Sequence, residues 1–195
     1  MTLPLRLLFI AVLQVALTSI LTYYLVTKEY LDLSSQSVET LENFLIEQKH
    51  QELTNYTLLA VSAMTDLYQN TDMDDAEAKA RVTEIINDMT YSGDDGYFFV
   101  YDGEGNSIVH PKEPFRVGQN WWDLKSLNGD NTIQILIRNA KNGGGFLRYP
   151  WNKPSSNKMS EKMGYSVYLE KWDWMIGTGV YLDDVNLQLS QLQLE

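Results

Sequence analysis

The sequence predicts an α+β fold: a five-stranded antiparallel sheet joined to a long N-terminal helix, which one transmembrane helix precedes. Three observations lead to it. An uncharged apolar run, Leu7–Val26, lies near the start of the chain. Apolar residues then recur at helical spacing, without a Gly or Pro, as far as Tyr68. From Gly96 the apolar spacing changes to two residues, which is typical of strands.

Composition excludes several classes of function. The 195 residues include no cysteine, so thiolate metal sites, a Cys nucleophile and disulfides are excluded. A net charge of −11 argues against nucleic acid as a partner. Hydrophobic residues make up 44% of the chain and aromatic residues 12%, which is enough for a buried core.

The run Leu7–Val26 predicts a membrane anchor, because about 20 apolar residues are needed to cross a bilayer as a helix. A cleaved signal peptide is the alternative, but its apolar core is shorter, about 7–15 residues, and no A-x-A-like site follows here. We therefore expect a span over residues 7–27. The positive charge of Arg6 places residues 1–6 in the cytoplasm and the chain after Lys28 outside.

Helices are expected over residues 29–92. Glu29–Tyr68 predicts one long helix or two collinear ones, with apolar residues that include Leu58, Leu59 and Met64. A second helix follows, which Asp72 or Asp74 caps. Its buried stripe is expected to comprise Val82, Ile85, Ile86 and Met89.

The sheet region begins at Gly96. A hairpin is formed by "YFFVYD" and "SIVH" around the turn "GEGN". The segment "NTIQILIRNAKN" is a helix, and its end at Gly143–Gly145 suits a C-cap and turn. The remaining elements are three strands and a final helix: Phe146–Trp151, Met163–Leu169, Trp174–Tyr181 and Asp183–Glu195.

The sequence offers little support for a catalytic site or a metal site. The three glycines at Gly143–Gly145 follow a helix and precede a strand, the reverse of a phosphate-binding loop, and no G-K-[ST] appears. The two histidines, His50 and His110, are sixty positions apart and have no second ligand at metal-binding spacing. We expect no enzyme, no catalytic residue, no metal and no cofactor.

A cluster of rings and bases in the C-terminal half indicates recognition of a small molecule. Rings with polar tips alternate with basic side chains, and a base beside Tyr hydroxyls can hold a carboxylate. For any single ring, a place in the core is the favoured alternative. The rings are Trp121, Trp122, Tyr149, Trp151, Tyr165 and Tyr168, and the bases are Arg148, Lys153, Lys158 and Lys162.

Four segments, "DGYFFVYDGEGNSIVHP", "GQNWWDLKSLNG", "NAKNGGGFLRYPWNKP" and "EKMGYSVYLEKWDWMIGTGVYLDDV", strongly resemble the single Cache domain, type 2, of bacterial chemoreceptors and sensor histidine kinases. The resemblance implies a PAS-like sensor domain over residues 28–190, with its ligand-binding sheet region at 96–185 and a descending helix starting in 186–195. It also implies a bacterial cytoplasmic membrane, a sensor on the periplasmic or extracellular side, a homodimer, and a cytoplasmic signalling module or partner protein.

The same resemblance implies a ligand pocket on the sheet for a short carboxylate such as acetate, propionate, pyruvate or lactate. Lys162 would be the anion partner. Lys162 and Tyr165 are three apart, so an unbroken strand would point them to opposite sides unless a bulge intervenes. The implied pocket residues are Tyr97, Tyr101, His110, Trp121, Trp122, Tyr149, Trp151, Lys162 and Tyr165.

Two interpretations of the function of the whole chain remain open. One is the sensor region of a longer receptor, which passes ligand occupancy across the membrane by helix displacement. The other is a stand-alone anchored binding module, for instance one that uses Trp121, Trp122 and Trp151 as a platform for a sugar. Neither reading involves nucleic acid.

Overall fold

The computed structural model describes residues 3–72 and 75–192. The chain divides into two compact units, Met1–Phe44 and Leu45–Glu195. The helices are α1 (Leu3–Asn70), α2 (Ala76–Asp88), α3 (Thr132–Lys141) and α4 (Leu182–Leu192). The strands are β1 (Thr90–Tyr91), β2 (Gly96–Asp102), β3 (Ser107–Val109), β4 (Gly145–Lys153), β5 (Lys158–Leu169) and β6 (Trp174–Tyr181), and short 3₁₀ turns cover Pro114–Arg116 and Glu170–Trp172.

The N-terminal unit is helical throughout its described residues, as expected. Within the described chain, one helix near the N-terminus carries a segment long and apolar enough to cross a membrane. Thr18 and Thr22 donate their hydroxyls to main-chain carbonyls one turn earlier, at 3.0 and 2.9 Å, so these polar groups are satisfied inside the helix. Apolar side chains such as Leu17 and Leu21 are exposed, which suits a surface that lipid covers.

In the second unit, α1 and α2 cover one face of the sheet. From α1 come Ala60 and Met64, and from α2 come Ala78, Val82 and Ile86; these pack with sheet residues such as Ile176. One expectation was wrong: Ile85, predicted to belong to the buried stripe of α2, is 36% exposed. On α1, Leu58 and Leu59 are also exposed. A helix presents only a stripe to its core, and the stripe of α2 runs through Ala78 instead.

The N-cap of α2 also differs from the prediction. Asp75 caps the helix, and its carboxylate accepts the Ala78 N–H at 2.9 Å. Asp72 was one of the two expected caps, and Asp74, the other, lies outside the described residues. Several adjacent aspartates could each have capped this helix, so the pattern alone did not decide among them.

The sheet is antiparallel with the order β1-β2-β6-β5-β4, and β3 pairs with β2. All five predicted strands are confirmed. The described chain adds a sixth, the two-residue β1, which is too short to show a period. β4 lies at the sheet edge, which suits Pro150 because a proline lacks the N–H for a further ladder bond.

The second face of the sheet is covered by α3 and by the segment between β3 and α3. Strand β2 is buried on both faces, as expected: Phe98 and Val100 belong to the core under α1 and α2, and Tyr97, Phe99 and Tyr101 belong to the core under α3. Gly143 and Gly144, at φ 97° and 98°, turn the chain from α3 into β4. This confirms the glycine turn and brings β4 alongside α3.

Candidate small-ligand site

A small cavity lies between α3 and the sheet. The centre of a water molecule can move through about 10 Å³ of it, which is room for about one water. Most of its wall is aromatic, and α3 supplies an aliphatic side. The lining residues are Tyr97, Phe99, Tyr101, His110, Ile133, Leu136, Tyr149 and Trp151. We call this space the inner cavity.

Lys162 of β5 lies beside the inner cavity, completely buried. Its Nζ is 3.8 Å from the centroid of the Tyr97 ring and 5.0 Å from that of Tyr181. Among the residues that the structure describes, Nζ has no hydrogen-bond partner. Burial lowers the pKa of Lys162 to about 7, although the negative charges of Glu113 and Asp95 oppose the shift. A buried ammonium without a partner is costly, so this group is poised to gain from an anion.

His110 is neutral at physiological pH. Burial, and then the charges of Lys162 and Arg116, lower its pKa to about 3. The Glu113 N–H donates to Nδ1 at 3.1 Å, so the proton of the neutral ring is on Nε2, which lies 3.4 Å from Glu113 Oε2. His110 therefore adds no charge to the cavity but is held firmly by the segment that follows β3.

Arg116 stacks on Trp151, which lines the inner cavity, and itself lines a larger cavity. Its guanidinium carbon lies 4.3 Å from the Trp121 ring centroid and 4.7 Å from that of Trp151, and its Nε donates to Glu113 Oε2 at 2.6 Å. Nη1 is buried and makes no hydrogen bond to any described residue. Beyond it lies a space of about 130 Å³, the outer cavity, which Glu113, Arg116 and Trp151 help to line.

The Tyr101 hydroxyl is a further unused group. It is buried, and within residues 3–72 and 75–192 neither it nor Ser107 Oγ makes a hydrogen bond of ordinary geometry, although Ser107 and Arg116 both interact with the Tyr101 hydroxyl. Burial raises the pKa of Tyr101 to about 12, with Arg116 opposing the rise, so the phenol stays protonated and available as a donor.

These groups together suit a small anion. Arg116 is paired with Glu113, so the positive charge left around the inner cavity is that of Lys162 in its protonated form. Four buried atoms around the site make no hydrogen bond of ordinary geometry to a described residue, and each of them can donate one: Lys162 Nζ, Arg116 Nη1, Tyr101 Oη and Ser107 Oγ. Phe99, Ile133 and Leu136 offer only apolar contacts to the rest of a ligand. A monoanion with acceptor oxygens and a short apolar body matches this arrangement.

Six of the nine predicted pocket residues meet at this site. Trp121 packs against the core under α3 and stacks on Arg116 but does not line the inner cavity, and Trp122 is 37% exposed. Tyr165 lies on the opposite face, where its ring packs 4.6 Å from that of Phe146. A bulge between Lys162 and Tyr165 would have allowed both to face one pocket. Strand β5 pairs regularly from Lys162 to Tyr165, so the two side chains point to opposite faces. The six are Tyr97, Tyr101, His110, Tyr149, Trp151 and Lys162.

The sequence interpretation missed five contributors. Phe99 could have been found, because it shares the period-two face of Tyr97 and Tyr101. Ile133 and Leu136 lie in the segment that was correctly predicted as the helix α3, but its apolar residues gave no sign that they line a cavity. Glu113 and Arg116 lie in a proline-containing segment without periodicity, which gave no signal.

A second ionic cluster lies at the far end of β4. Lys153 Nζ lies 2.6 Å from Asp184 and 3.0 Å from Asp183, both in the first turn of α4, and 3.8 Å from Asp95. The Asp95 carboxylate also accepts the N–H and the hydroxyl of Ser155, at 2.8 and 2.7 Å. Lys153 thus ties the strand that carries Tyr149 and Trp151 to the start of α4.

Comparison with protein families gives a match to the model described as single Cache domain 2, over residues 45–195. The sensor histidine kinase MctS of Rhizobium johnstonii is 42% identical over 188 residues, which cover 96% of this chain and 41% of MctS. The chain therefore spans less than half the length of this relative. Cache domains are extracytoplasmic sensor domains of membrane receptors, and they bind ligands without transforming them.

Two solved structures are similar over most of the chain. A methyl-accepting chemotaxis protein from Vibrio parahaemolyticus superposes with a TM-score of 0.71 at 36% identity, covering 76% of this chain and 99% of that one. A Cache chemosensory domain described as recognising carboxylic acids superposes with a TM-score of 0.65 at 25% identity, covering 71% of this chain and 96% of that one. The sheet and its long helix are thus those of a chemoreceptor sensor domain.

Proposed function

Since this chain belongs to the single Cache domain 2 family, we propose that it senses a small monocarboxylate, which binds in the inner cavity against Lys162. The observation that carries the proposal is the buried Lys162 ammonium, which lacks a hydrogen-bond partner among the described residues. The recognition of carboxylic acids by a Cache domain of similar structure supports the same class of ligand.

In the proposed complex, the ligand carboxylate accepts hydrogen bonds from Lys162 and Tyr101, and its short carbon chain faces Ile133 and Leu136. An ion pair with a buried carboxylate offsets part of the cost of burying the ammonium. Two or three carbons are the expected size, because α3 closes the apolar side of the cavity.

The inner cavity must enlarge to admit such a ligand, since it has room for about one water. Trp151 lines both cavities, and Arg116 stacks on it, so movement of this pair into the outer cavity is the proposed opening. Ligand binding then favours the opened arrangement. The free energy that shifts the equilibrium comes from the difference in ligand affinity between the two arrangements.

Calorimetry with the full chain in lipid nanodiscs tests the proposal. Acetate, propionate, pyruvate and lactate are titrated in turn, with a neutral oligosaccharide as the competing class. We expect binding of at least one acid and its loss in Lys162→Met, whereas Lys158→Met, a change at an exposed lysine of the same strand, leaves it intact. Oligosaccharide binding that Lys162→Met leaves unchanged would contradict the proposal.

Transmission is proposed to run through α4. Tyr181 lies between two lysines: its ring centroid is 5.0 Å from Lys162 Nζ and 5.7 Å from Lys153 Nζ. Lys153 is bound to the first turn of α4, so a shift of β4 at the cavity moves the helix. Such coupling is typically worth about 1–3 kcal/mol. In a longer receptor, this displacement would reach a cytoplasmic signalling module, as the similarity to MctS suggests.

The proposed setting is a homodimer in the bacterial cytoplasmic membrane, with the sensor outside. The exposed apolar side chains of Leu58 and Leu59 on α1 support a helix contact between two copies. Because the chain has no cysteine, Leu58→Cys introduces a single thiol. Oxidation of membranes that contain this variant should give a disulfide-linked dimer, and exclusively monomeric protein at each such position along α1 would contradict the dimer.

A further inference from the structure

Glu113 connects the polar residues of the site without lining the inner cavity. Its carboxylate lies 2.6 Å from Arg116 Nε and 3.4 Å from His110 Nε2, and its own N–H donates to His110 Nδ1 at 3.1 Å. The side chain is 14% exposed. One residue therefore contacts His110 at both ring nitrogens and fixes the guanidinium that stacks on Trp151.

The charge of Glu113 also acts on Lys162. Seven groups surround the Lys162 ammonium. Three are tyrosines of neighbouring strands: Tyr97 of β2, Tyr149 at the paired position of β4, and Tyr181 of β6. The other four are His110, Glu113 and Arg116 from the segment after β3, and Asp95 from the turn before β2. The three tyrosines have pKa values raised by burial, and the histidine is neutral, so they carry no charge near pH 7. Negative charge near Lys162 comes from Glu113 and, more weakly, from Asp95.

We propose that Glu113 is the positioning residue of the ligand site, which fixes Arg116 and, from its place beside His110, directs a negative charge toward Lys162. It acts through these two side chains and does not bind the ligand. An empty site whose lysine lost its proton would present no charge to a carboxylate, so Glu113 sets the pH range in which the site can bind an anion. The inference rests on the proposed function, because it assigns Lys162 to the ligand.

The pH dependence of propionate affinity provides one test, measured on the full chain in nanodiscs between about pH 5.5 and 9. Wild-type affinity should fall as the pH rises through about 7, where Lys162 loses its proton. In Glu113→Gln, which keeps the size and loses the charge, the fall should begin lower by at least about half a pH unit. Glu113→Asp, which retains the charge, should restore the wild-type midpoint.

Glu104→Gln is the matched control, the same substitution at an exposed position in the turn between β2 and β3. It should leave the midpoint where it is in wild type. An unchanged midpoint in Glu113→Gln, or an equal shift in Glu104→Gln, would overturn the inference.

A measurement without ligand separates this inference from the proposed function. Lysine labelled with ¹³C at Cε reports its own titration by NMR, and the Lys162 signal is assigned by its loss in Lys162→Met. Glu113→Gln should lower the pH midpoint of this signal even if propionate does not bind. If wild type fails to bind any acid but the midpoint moves, the proposed function fails and the role of Glu113 stands; if the midpoint stays, the role of Glu113 is refuted.

Discussion

The ammonium of Lys162 lies 3.8 Å from the centroid of the Tyr97 ring, on the sheet face that α3 covers. Both side chains are at most 1% exposed. The ring face offers a weak attraction for a cation, of the order of 0.5–2 kcal/mol, which does not replace the hydration that the ammonium has lost. An anion beside Lys162 would therefore stabilise the buried ammonium.

Stability without ligand should rise when this charge is removed. We expect Lys162→Met to stabilise the chain by about 1–4 kcal/mol at pH 7, because an aliphatic side chain replaces a buried ion. The pKa of Lys162 falls from 10.5 in the unfolded chain to about 7 in the folded one. Between these values the unfolded chain binds more protons, so wild-type stability rises with pH and the advantage of the variant shrinks toward pH 10. Urea unfolding of both proteins across this range provides the measurement, and a variant that is less stable at pH 7 would contradict the expectation.

Two tyrosine hydroxyls should behave in opposite ways. Tyr101→Phe removes a hydroxyl that makes no hydrogen bond of ordinary geometry in the described chain and interacts only weakly with Ser107 and Arg116, so stability should change little and propionate affinity should fall by up to about tenfold. Tyr91 is the control: its hydroxyl lies 2.6 Å from Thr178 Oγ1. Tyr91→Phe should cost about 1 kcal/mol of stability and leave affinity unchanged. Calorimetry measures the affinity of both variants for propionate, and urea unfolding measures their stability. An unaltered affinity in Tyr101→Phe would show that this residue does not contact the ligand.

Leu136 should limit the length of the ligand. Leu136→Ala opens the aliphatic side of the inner cavity, so the preference should move from acetate or propionate toward butyrate, at a cost of about 2–5 kcal/mol in stability. Leu53→Ala, at a buried leucine of α1 away from the cavity, should cost a similar amount without changing the preference. The ratio of affinities for butyrate and propionate is the readout, and the same ratio in both variants would show that Leu136 does not bound the ligand.

Lys153 should couple the ligand to α4. In wild type, propionate should change the hydrogen exchange of amides in residues 182–192, because Lys153 joins β4 to this helix. Lys153→Met should abolish that change while propionate still binds, since Lys153 is outside the inner cavity. Lys158→Met, at an exposed lysine, is the control and should respond like wild type. A ligand response in α4 that persists in Lys153→Met would place the transmission elsewhere.

Most of the fold followed from local pattern. Side chains alternate between the two faces of a strand, which placed Tyr149 and Trp151 on one face. The same alternation predicted that Lys162 and Tyr165 face opposite sides of β5 unless a bulge intervenes, and β5 has no bulge between them. Glu113 and Arg116 could not be predicted in this way. Their segment has no period, and its path depends on distant contacts, such as those of the Asn120 side-chain amide with Glu104 O and Asn106 Oδ1, each at 2.9 Å. The burial of Lys162 was likewise invisible, because nothing local marks a lysine that three strands enclose.

Proton uptake on ligand binding at about pH 8 tests the central claim most directly. It is obtained by calorimetry of propionate binding in buffers of different ionisation enthalpy. Lys162, with a pKa of about 7, is mostly neutral in the empty site at that pH, and a bound carboxylate restores its proton. We predict an uptake of about 0.5–1 proton in wild type, which falls toward zero near pH 5.5, where the lysine is already charged. Tight binding at pH 8 without proton uptake would contradict the assignment of Lys162 as the partner of the ligand.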